Sequence, residues 1–304
     1  MEIRRSRDMG FCFGVRRAVD MMKEAAMEGR SVQTLGQVVH NPQVVADLED
    51  IGITVKEDRD AQGASTDTVA ITAHGVGEET VSTIEGQGYH VIDTTCQFVS
   101  RSQRAAKNLA AKGFGVVIFG DPDPPEVKGV LGWCRGRGWV VKDESLEELP
   151  DYLPSKIGVI SQTTHTPERF ASFVSKLMTA RIDQITELRV VNVLCNATTS
   201  QQAATRELAE EVDIMIVVGG YNSANTSHLA ELSVANGVDT HHVETADQLE
   251  RDWFAEHEIV GVTAGASTPD SSIDAVVSRI EAIDRDLQAA RASSNAPHHS
   301  SAVH

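Results

Sequence analysis

The amino-acid sequence predicts an α/β protein built from three pseudo-symmetric α/β units, each a small parallel sheet covered by helices. Three observations predict it. Short apolar runs alternate with helix-period stretches along the whole chain. Three cysteines open helices in the same way, in "GFCFGVRRAV", "DTTCQFVSRSQRAA" and "NVLCNATTSQQAA". An interval of 24 residues separates each of them from a glycine that ends an apolar run: Cys12 to Gly36, Cys96 to Gly120, Cys195 to Gly219.

Taken in order, "MEIRRSRDMG" reads as a first strand; it has an arginine pair but lacks the apolar core of an export signal. A helix follows Cys12. The strand "SVQTLG" then leads through the loop "GQVVHNPQVV" into a second helix, and "TVAITAHG" and "HVIDTT" are two further strands. Cys96 heads the helix containing "SRSQRAAKNLAAKG". The series then repeats with "GVVIFG", the loop "GDPDPPEVKG", "KIGVISQ", the helix "TPERFASFVSKLMTA" and "RVVNVLC", which ends at Cys195. A third pass runs through "TTSQQAATRELAEEV", "IMIVVGG", "GGYNSANTSHL", "EIVGVTAG" and a closing helix, "SSIDAVVSRIEAIDRDLQAARA". Regular strand–turn–helix alternation gives parallel sheets flanked by helices. Two finer markers recur. His74, Thr163 and Ser267 follow the three glycines by 38, 43 and 48 residues, and Asp93 and Asn192 each stand three places before a cysteine. The expected units are 1–96, 97–194 and 195–290, with 291–304 a disordered tail without periodicity.

Composition narrows the function. The 304 residues are 41% hydrophobic and 23% charged, with a net charge of −17. That charge disfavours a general nucleic-acid binder and docking on anionic lipid. No apolar run is long enough to span a membrane, so a cytoplasmic protein is expected. Its cysteines are then metal ligands or buried thiols, not disulfides. Cys134, in "GWCRGRGW", reads as a packing thiol.

In open α/β units, ligands gather outside the carboxyl ends of the strands. Cys96 and Cys195 follow strands and head helices, where backbone N–H groups and the helix dipole favour thiolate. Three related thiolates aimed at one point call for a metal centre. Zinc with an open fourth position fits, and so does an iron–sulfur cluster with one iron left free; spacing alone leaves both open. Around that point the loops bring His40, Asn41, His74, Glu126, Thr163, Thr164, Ser223, Asn225 and Ser267. Imidazole, hydroxyl and amide donors at helix starts suit a phosphate or diphosphate. Glu126 is the one acid among them; beside an anionic ligand its pKa should rise, which suits a proton donor. Blander roles compete: helix caps for Asn225 and Thr226, turn chemistry for Ser267, and a dipole-stabilised first-turn acid for Glu126.

Taken together, "GFCFGVRRAV", "GQVVHNPQVV", "AHGV", "DTTCQFV", "PEVKGVLG", "SQTT", "CNATTSQQ", "NSANTSHLAEL" and "GVTAGASTP" resemble the LytB/IspH family of 4-hydroxy-3-methylbut-2-enyl diphosphate reductases, over roughly residues 3 to 282. The resemblance implies a trefoil of three α/β domains around a [4Fe–4S] cluster held by Cys12, Cys96 and Cys195. It implies reductive dehydroxylation of the allylic diphosphate to isopentenyl and dimethylallyl diphosphate. Glu126 would deliver protons and Thr163 would position the hydroxyl. His40, His74, Ser223, Ala224 (through its backbone N–H), Asn225 and Ser267 would hold the diphosphate. Electrons would come from a ferredoxin- or flavodoxin-like protein. One departure falls on a ligand-facing loop: where the family reads His-Pro-Glu-Val, this chain has Pro124-Pro125-Glu126-Val127, and a hydrogen-bond donor is lost. Ala224 also replaces a serine. These changes leave room for a paralogue that uses a less phosphorylated substrate, or for an iron–sulfur redox sensor.

Overall fold

The computed structural model describes residues 1–57 and 62–294. In chain order its elements are β1 (Glu2–Arg5), α1 (Phe13–Met27), β2 (Val32–Leu35), α2 (Pro42–Asp50), β3 (Ile53–Lys56), β4 (Thr68–Ile71), α3 (Glu78–Gln87) and β5 (His90–Asp93). They continue as α4 (Gln97–Ala111), β6 (Gly115–Phe119), α5 (Pro125–Gly132), β7 (Gly138–Val141), β8 (Lys156–Ser161), α6 (Pro167–Arg181) and β9 (Glu187–Val190). The last are α7 (Asn196–Ala209), β10 (Ile214–Val218), α8 (Ala224–Ala235), β11 (Asp239–Val243), β12 (Ile259–Ala264) and α9 (Asp270–Ser294).

Among the described residues these strands form three four-stranded sheets, ordered β3-β2-β4-β5, β7-β6-β8-β9 and β11-β10-β12-β1. Every pairing is parallel. All three sheets therefore share one order: second strand, first, third, fourth. The inner strands β4, β6 and β10 are buried along their whole length, which is why they read as unbroken apolar runs and not as alternating ones. Helices cover the sheets. In α1 the buried set is Gly14, Ala18, Val19, Met22 and Ala25, at helical spacing.

The fourth strand of the last sheet is β1, from the opposite end of the chain. Its register runs from Glu2 opposite Ile259 to Arg5 opposite Val262, and the Ser6 N–H extends the ladder to the Val262 carbonyl at 2.8 Å. Segment 1–96, expected as the first unit, thus loses its first strand to the last sheet. β1 fills the open edge of β12 as β5 fills that of β4 and β9 that of β8. The repeat is cyclic, and a cysteine follows the fourth strand of each sheet.

By mutual packing the described chain falls into two compact units. One comprises residues 11–200 with 222–225 and carries the first two sheets; the other comprises 1–10, 201–221 and the residues from 226 onward, and carries the third. Helix α9 extends to Ser294, so 291–294 are helical and not part of a structureless tail. Ala289, Ala290 and Ala292 are strong helix formers, and they carry the last turns past the point where apolar periodicity stops. The remaining tail lies outside the described residues. No helix among them is long and apolar enough to cross a membrane.

Candidate active site at the strand switch points

In each sheet the chain order reverses between the first strand and the third: between β2 and β4, β6 and β8, β10 and β12. Loops leaving the carboxyl ends of two such strands diverge to opposite faces, and the crevice between them is where open α/β sheets bind ligands. The sequence-derived candidates fall on these loops or in the first turns of the helices they lead into. His40 follows β2 and His74 follows β4; Glu126 follows β6 and Thr163 follows β8; Ser223, Ala224 and Asn225 follow β10 and Ser267 follows β12. The marker glycines allow close approach there. A Cβ on Gly120 would lie 2.9 Å from the Cβ of Gln162, the neighbour of Thr163.

Cys12 is the N-cap of α1, its Sγ accepting from the Val15 N–H at 3.5 Å. Cys96 is the N-cap of α4, and Cys195 immediately precedes α7. The Cys96 N–H donates to the Ala73 carbonyl at 3.0 Å, and the Cys195 N–H donates to the Thr163 carbonyl at 2.9 Å. Each of these cysteines is thus tied to the loop bearing its neighbouring marker residue. Gly14, which sequence reasoning passed over, is what lets the thiols approach. A Cβ there would stand 2.7 Å from Cys96 Sγ and 4.0 Å from Cys12 Sγ. The available signal was a glycine inside the first turn of an otherwise good amphipathic helix.

The helix starts do not lower the Cys12 and Cys96 pKa values. Burial pushes the Cys96 thiol up to about 11, and neighbouring thiols at Cys12 and Cys195 push the same way; N–H groups of the helix start oppose it but are outweighed. Cys12 is raised for the same first reason, with Cys195 again adding to it. Mutual influence of this kind places the three sulfurs in one electrostatic environment. A positive inorganic centre is what would discharge their protons. Cys134 is fully buried and raised to about 12 by burial alone, as suits a packing thiol.

Glu126 and Thr163 form a closed pair. The Thr163 N–H donates to Glu126 Oε1 and the Thr163 hydroxyl to Oε2, both at 2.8 Å. Pro124 is the N-cap of α5 and Pro125 its first residue. Two ring-locked φ angles fix the turn that sends the carboxyl of the next residue inward. Burial raises the Glu126 pKa, against the lowering effect of the two Thr163 donors. Desolvation is the first cause of that rise.

His40 and His74 lie side by side, ring centroids 4.1 Å apart and tilted by 35°. Asn41 is occupied elsewhere, since its Oδ1 caps α2 by accepting from the Val44 N–H at 3.1 Å. Asn225 and Thr226 lie inside α8 and do not cap it from outside; Ser223 directly precedes the helix and Ala224 is its first residue. Ser267 is buried and belongs to the packing unit of the third sheet.

The family model described as LytB protein matches residues 3–281. A 4-hydroxy-3-methylbut-2-enyl diphosphate reductase of Dehalococcoides mccartyi (strain CBDB1) is 43% identical, covering 92% of this chain and 98% of its own. One from Geobacter sp. (strain M21) is 42% identical, covering 94% and 99%. A solved structure titled as (E)-4-hydroxy-3-methyl-but-2-enyl diphosphate reductase, the terminal enzyme of the non-mevalonate pathway, matches with a TM-score of 0.66 at 37% identity, covering 93% of this chain and all of that one. A Plasmodium falciparum reductase structure shares the fold, with a TM-score of 0.84 at 24% identity and 91% and 87% coverage. A match that runs from the first strand into the last helix, with relatives aligned over nearly their full lengths, means that this chain belongs to the LytB family.

Proposed function

We propose that the chain is the reductase that removes the allylic hydroxyl of 4-hydroxy-3-methylbut-2-enyl diphosphate, yielding isopentenyl and dimethylallyl diphosphate. The C–O bond breaks; two electrons and two protons enter, one proton leaving with the oxygen as water and the other ending on carbon. The observation that carries this reading is the buried Glu126 bonded to Thr163, whose own carbonyl holds the Cys195 amide. Proton source and thiol ligand stand on one hydrogen-bonded chain.

Cys12, Cys96 and Cys195 would hold a [4Fe–4S] cluster. Their donor chemistry supports it: three thiols, each at a helix start, each electrostatically coupled to the others. Three thiols drawn from distant parts of the chain suit a cluster in a central cavity. When bound, such a cluster supplies electrons and a Lewis-acidic iron for the substrate hydroxyl. Glu126 would donate the proton from a buried site that raises its pKa, and Thr163 would relay it while orienting the hydroxyl. The paired His40 and His74 rings clamp diphosphate oxygens. Ser223, the Ala224 N–H and Asn225 complete that grip. A ferredoxin- or flavodoxin-like protein supplies the electrons.

The test is anaerobic purification, iron and sulfide analysis, and turnover of 4-hydroxy-3-methylbut-2-enyl diphosphate with a chemical reductant. Iron and sulfide in equal amounts with turnover are expected. A colourless, iron-free protein that cannot be reconstituted overturns the reading.

A further inference from the structure

Two arginines at equivalent places in the repeat make equivalent bonds. Arg17 stands five residues after Cys12 and Arg101 five residues after Cys96; both are exposed. Arg17 Nη2 donates to the Asp93 carbonyl and its Nη1 to the Thr95 carbonyl, each at 3.4 Å. Arg101 Nη2 donates to the Asn192 carbonyl at 2.6 Å. Asp93 and Asn192 are the residues three places before Cys96 and Cys195, and each bends its own backbone. Asp93 Oδ1 accepts from the Thr95 N–H at 2.8 Å, and Asn192 Oδ1 accepts from the Leu194 N–H at 3.0 Å. The helix of one cysteine therefore reaches across to hold the bend that delivers the next.

The third repeat breaks the pattern. Ser200 and Met9 occupy the two corresponding positions and cannot reproduce it; Gln201 Nε2 donates instead to the Gly10 carbonyl at 2.9 Å, two residues before Cys12. The recurrence is not a packing effect, because exposed side chains add little apolar burial. A guanidinium is well shaped for such a brace. Its planar fork carries several donors in fixed directions, and at Arg17 two of them serve two carbonyls.

Resting on the assignment of Cys12, Cys96 and Cys195 to one inorganic centre, we infer that Arg17 and Arg101 are positioning residues that set the loops delivering Cys96 and Cys195 to that centre. From Arg101 the chain of contacts runs through the Asn192 bend to Cys195, from the Cys195 N–H to Thr163, and from Thr163 to Glu126. Loosening Arg101 therefore disturbs a thiol ligand and the proton donor together.

The experiment compares the full chain with Arg101→Ala, Arg101→Lys, Arg17→Ala and the control Arg104→Ala, an exposed arginine on the same helix as Arg101. Two quantities are read: the rate of iron loss to a chelator after anaerobic reconstitution, and hydrogen exchange at the Cys96 and Cys195 amides in the metal-free chain. Outer partners of metal ligands are typically worth about 10- to 100-fold. Iron loss should quicken by about that factor in Arg101→Ala, by less in Arg101→Lys, and not at all in Arg104→Ala. The Cys195 amide should exchange faster in Arg101→Ala and the Cys96 amide faster in Arg17→Ala, each leaving the other unchanged. Wild-type protein that binds no iron overturns the function proposed above, while amide exchange still judges the brace. Iron retention and amide protection equal to Arg104→Ala in both arginine variants overturn the inference and leave that function standing. If Arg101→Ala does not fold, Arg101→Lys and Arg17→Ala decide the question by the same two readouts.

Discussion

Glu78 and Glu126 occupy nearly the same place in two helices, the first turns of α3 and α5, and their protons behave oppositely. Glu78 lies at the surface. The Arg135 guanidinium grips it with two bonds of 3.0 Å and Lys107 approaches to 2.9 Å, and together they hold its carboxyl down at about 2. Glu126 is buried, meets only the two donors of Thr163, and is raised. A helix start favours anions at both sites, so the dipole cannot explain the difference. Solvent and counter-charge decide it: one carboxyl has both, the other neither. Position in a helix does not set an acid's proton affinity; withdrawal from water without a cation does.

The largest expected effect comes from removing the proton on the buried side. Glu126→Gln should lower turnover by about 10²- to 10⁴-fold, the usual worth of a positioned general acid, at unchanged iron content. Its pH profile should change shape too. A raised pKa keeps the wild-type carboxyl protonated above the ordinary carboxylate range, and activity falls as pH rises through that raised value; the amide lacks this limb. The stability sign agrees. The contribution of Glu126 is fully present below its unfolded value of 4.5 and is lost as pH rises through the folded one. Glu126→Gln should therefore gain stability over wild type with rising pH in denaturant titrations. A loss would mean that Glu126 is anionic, and the contrast with Glu78 would collapse.

Pro124→His tests the same loop from its other end. Proline at the N-cap of α5 offers no side-chain bond; a histidine would add a donor toward an anionic substrate. A hydrogen bond to a charged group is worth about 1.5–3 kcal/mol, so KM should fall roughly 10- to 150-fold with little change in kcat. An unchanged KM would show that this loop does not face the diphosphate. Gly14→Ala should cost about 1–3 kcal/mol, as overpacking does, because its Cβ meets Cys96 Sγ. Iron content should drop with it; calorimetry and iron analysis check both.

Glu78→Gln should do least. Exposed ion pairs contribute about 0–1 kcal/mol, and turnover should not change. Because its pKa is lowered, the stabilisation is present above 4.5 and disappears as pH falls toward about 2. Denaturant midpoints of wild type and variant should differ slightly at neutral pH and converge in acid. A large activity loss here would erase the distinction between the two carboxyls.

Much of the site was legible because the repeat displays it three times. Cysteine-to-glycine spacing located the thiols, and polar residues after apolar runs located the switch-point loops, since strand ends are marked by where hydrophobicity stops. Three features were not legible. The pairing of β1 with β12 joins residues from opposite ends of the chain, and no local pattern encodes an edge partner. The helix starts suggested easily ionised cysteines, yet burial, a property of the whole packed environment, raised Cys12 and Cys96. Arg17 and Arg101 look like ordinary exposed helix residues until the carbonyls they meet are known.

By itself the sequence determined the α/β class, the triplication, the equivalence of Cys12, Cys96 and Cys195, and membership of a reductase family, because periodicity and spacing are properties of neighbouring residues. Tertiary structure alone decided that the repeat is cyclic, that burial raises the Glu126 pKa while two cations lower that of Glu78, and that one cysteine's helix braces the next cysteine's loop. Each of these depends on which distant groups exclude water or supply a charge, and that is settled only when the chain closes on itself.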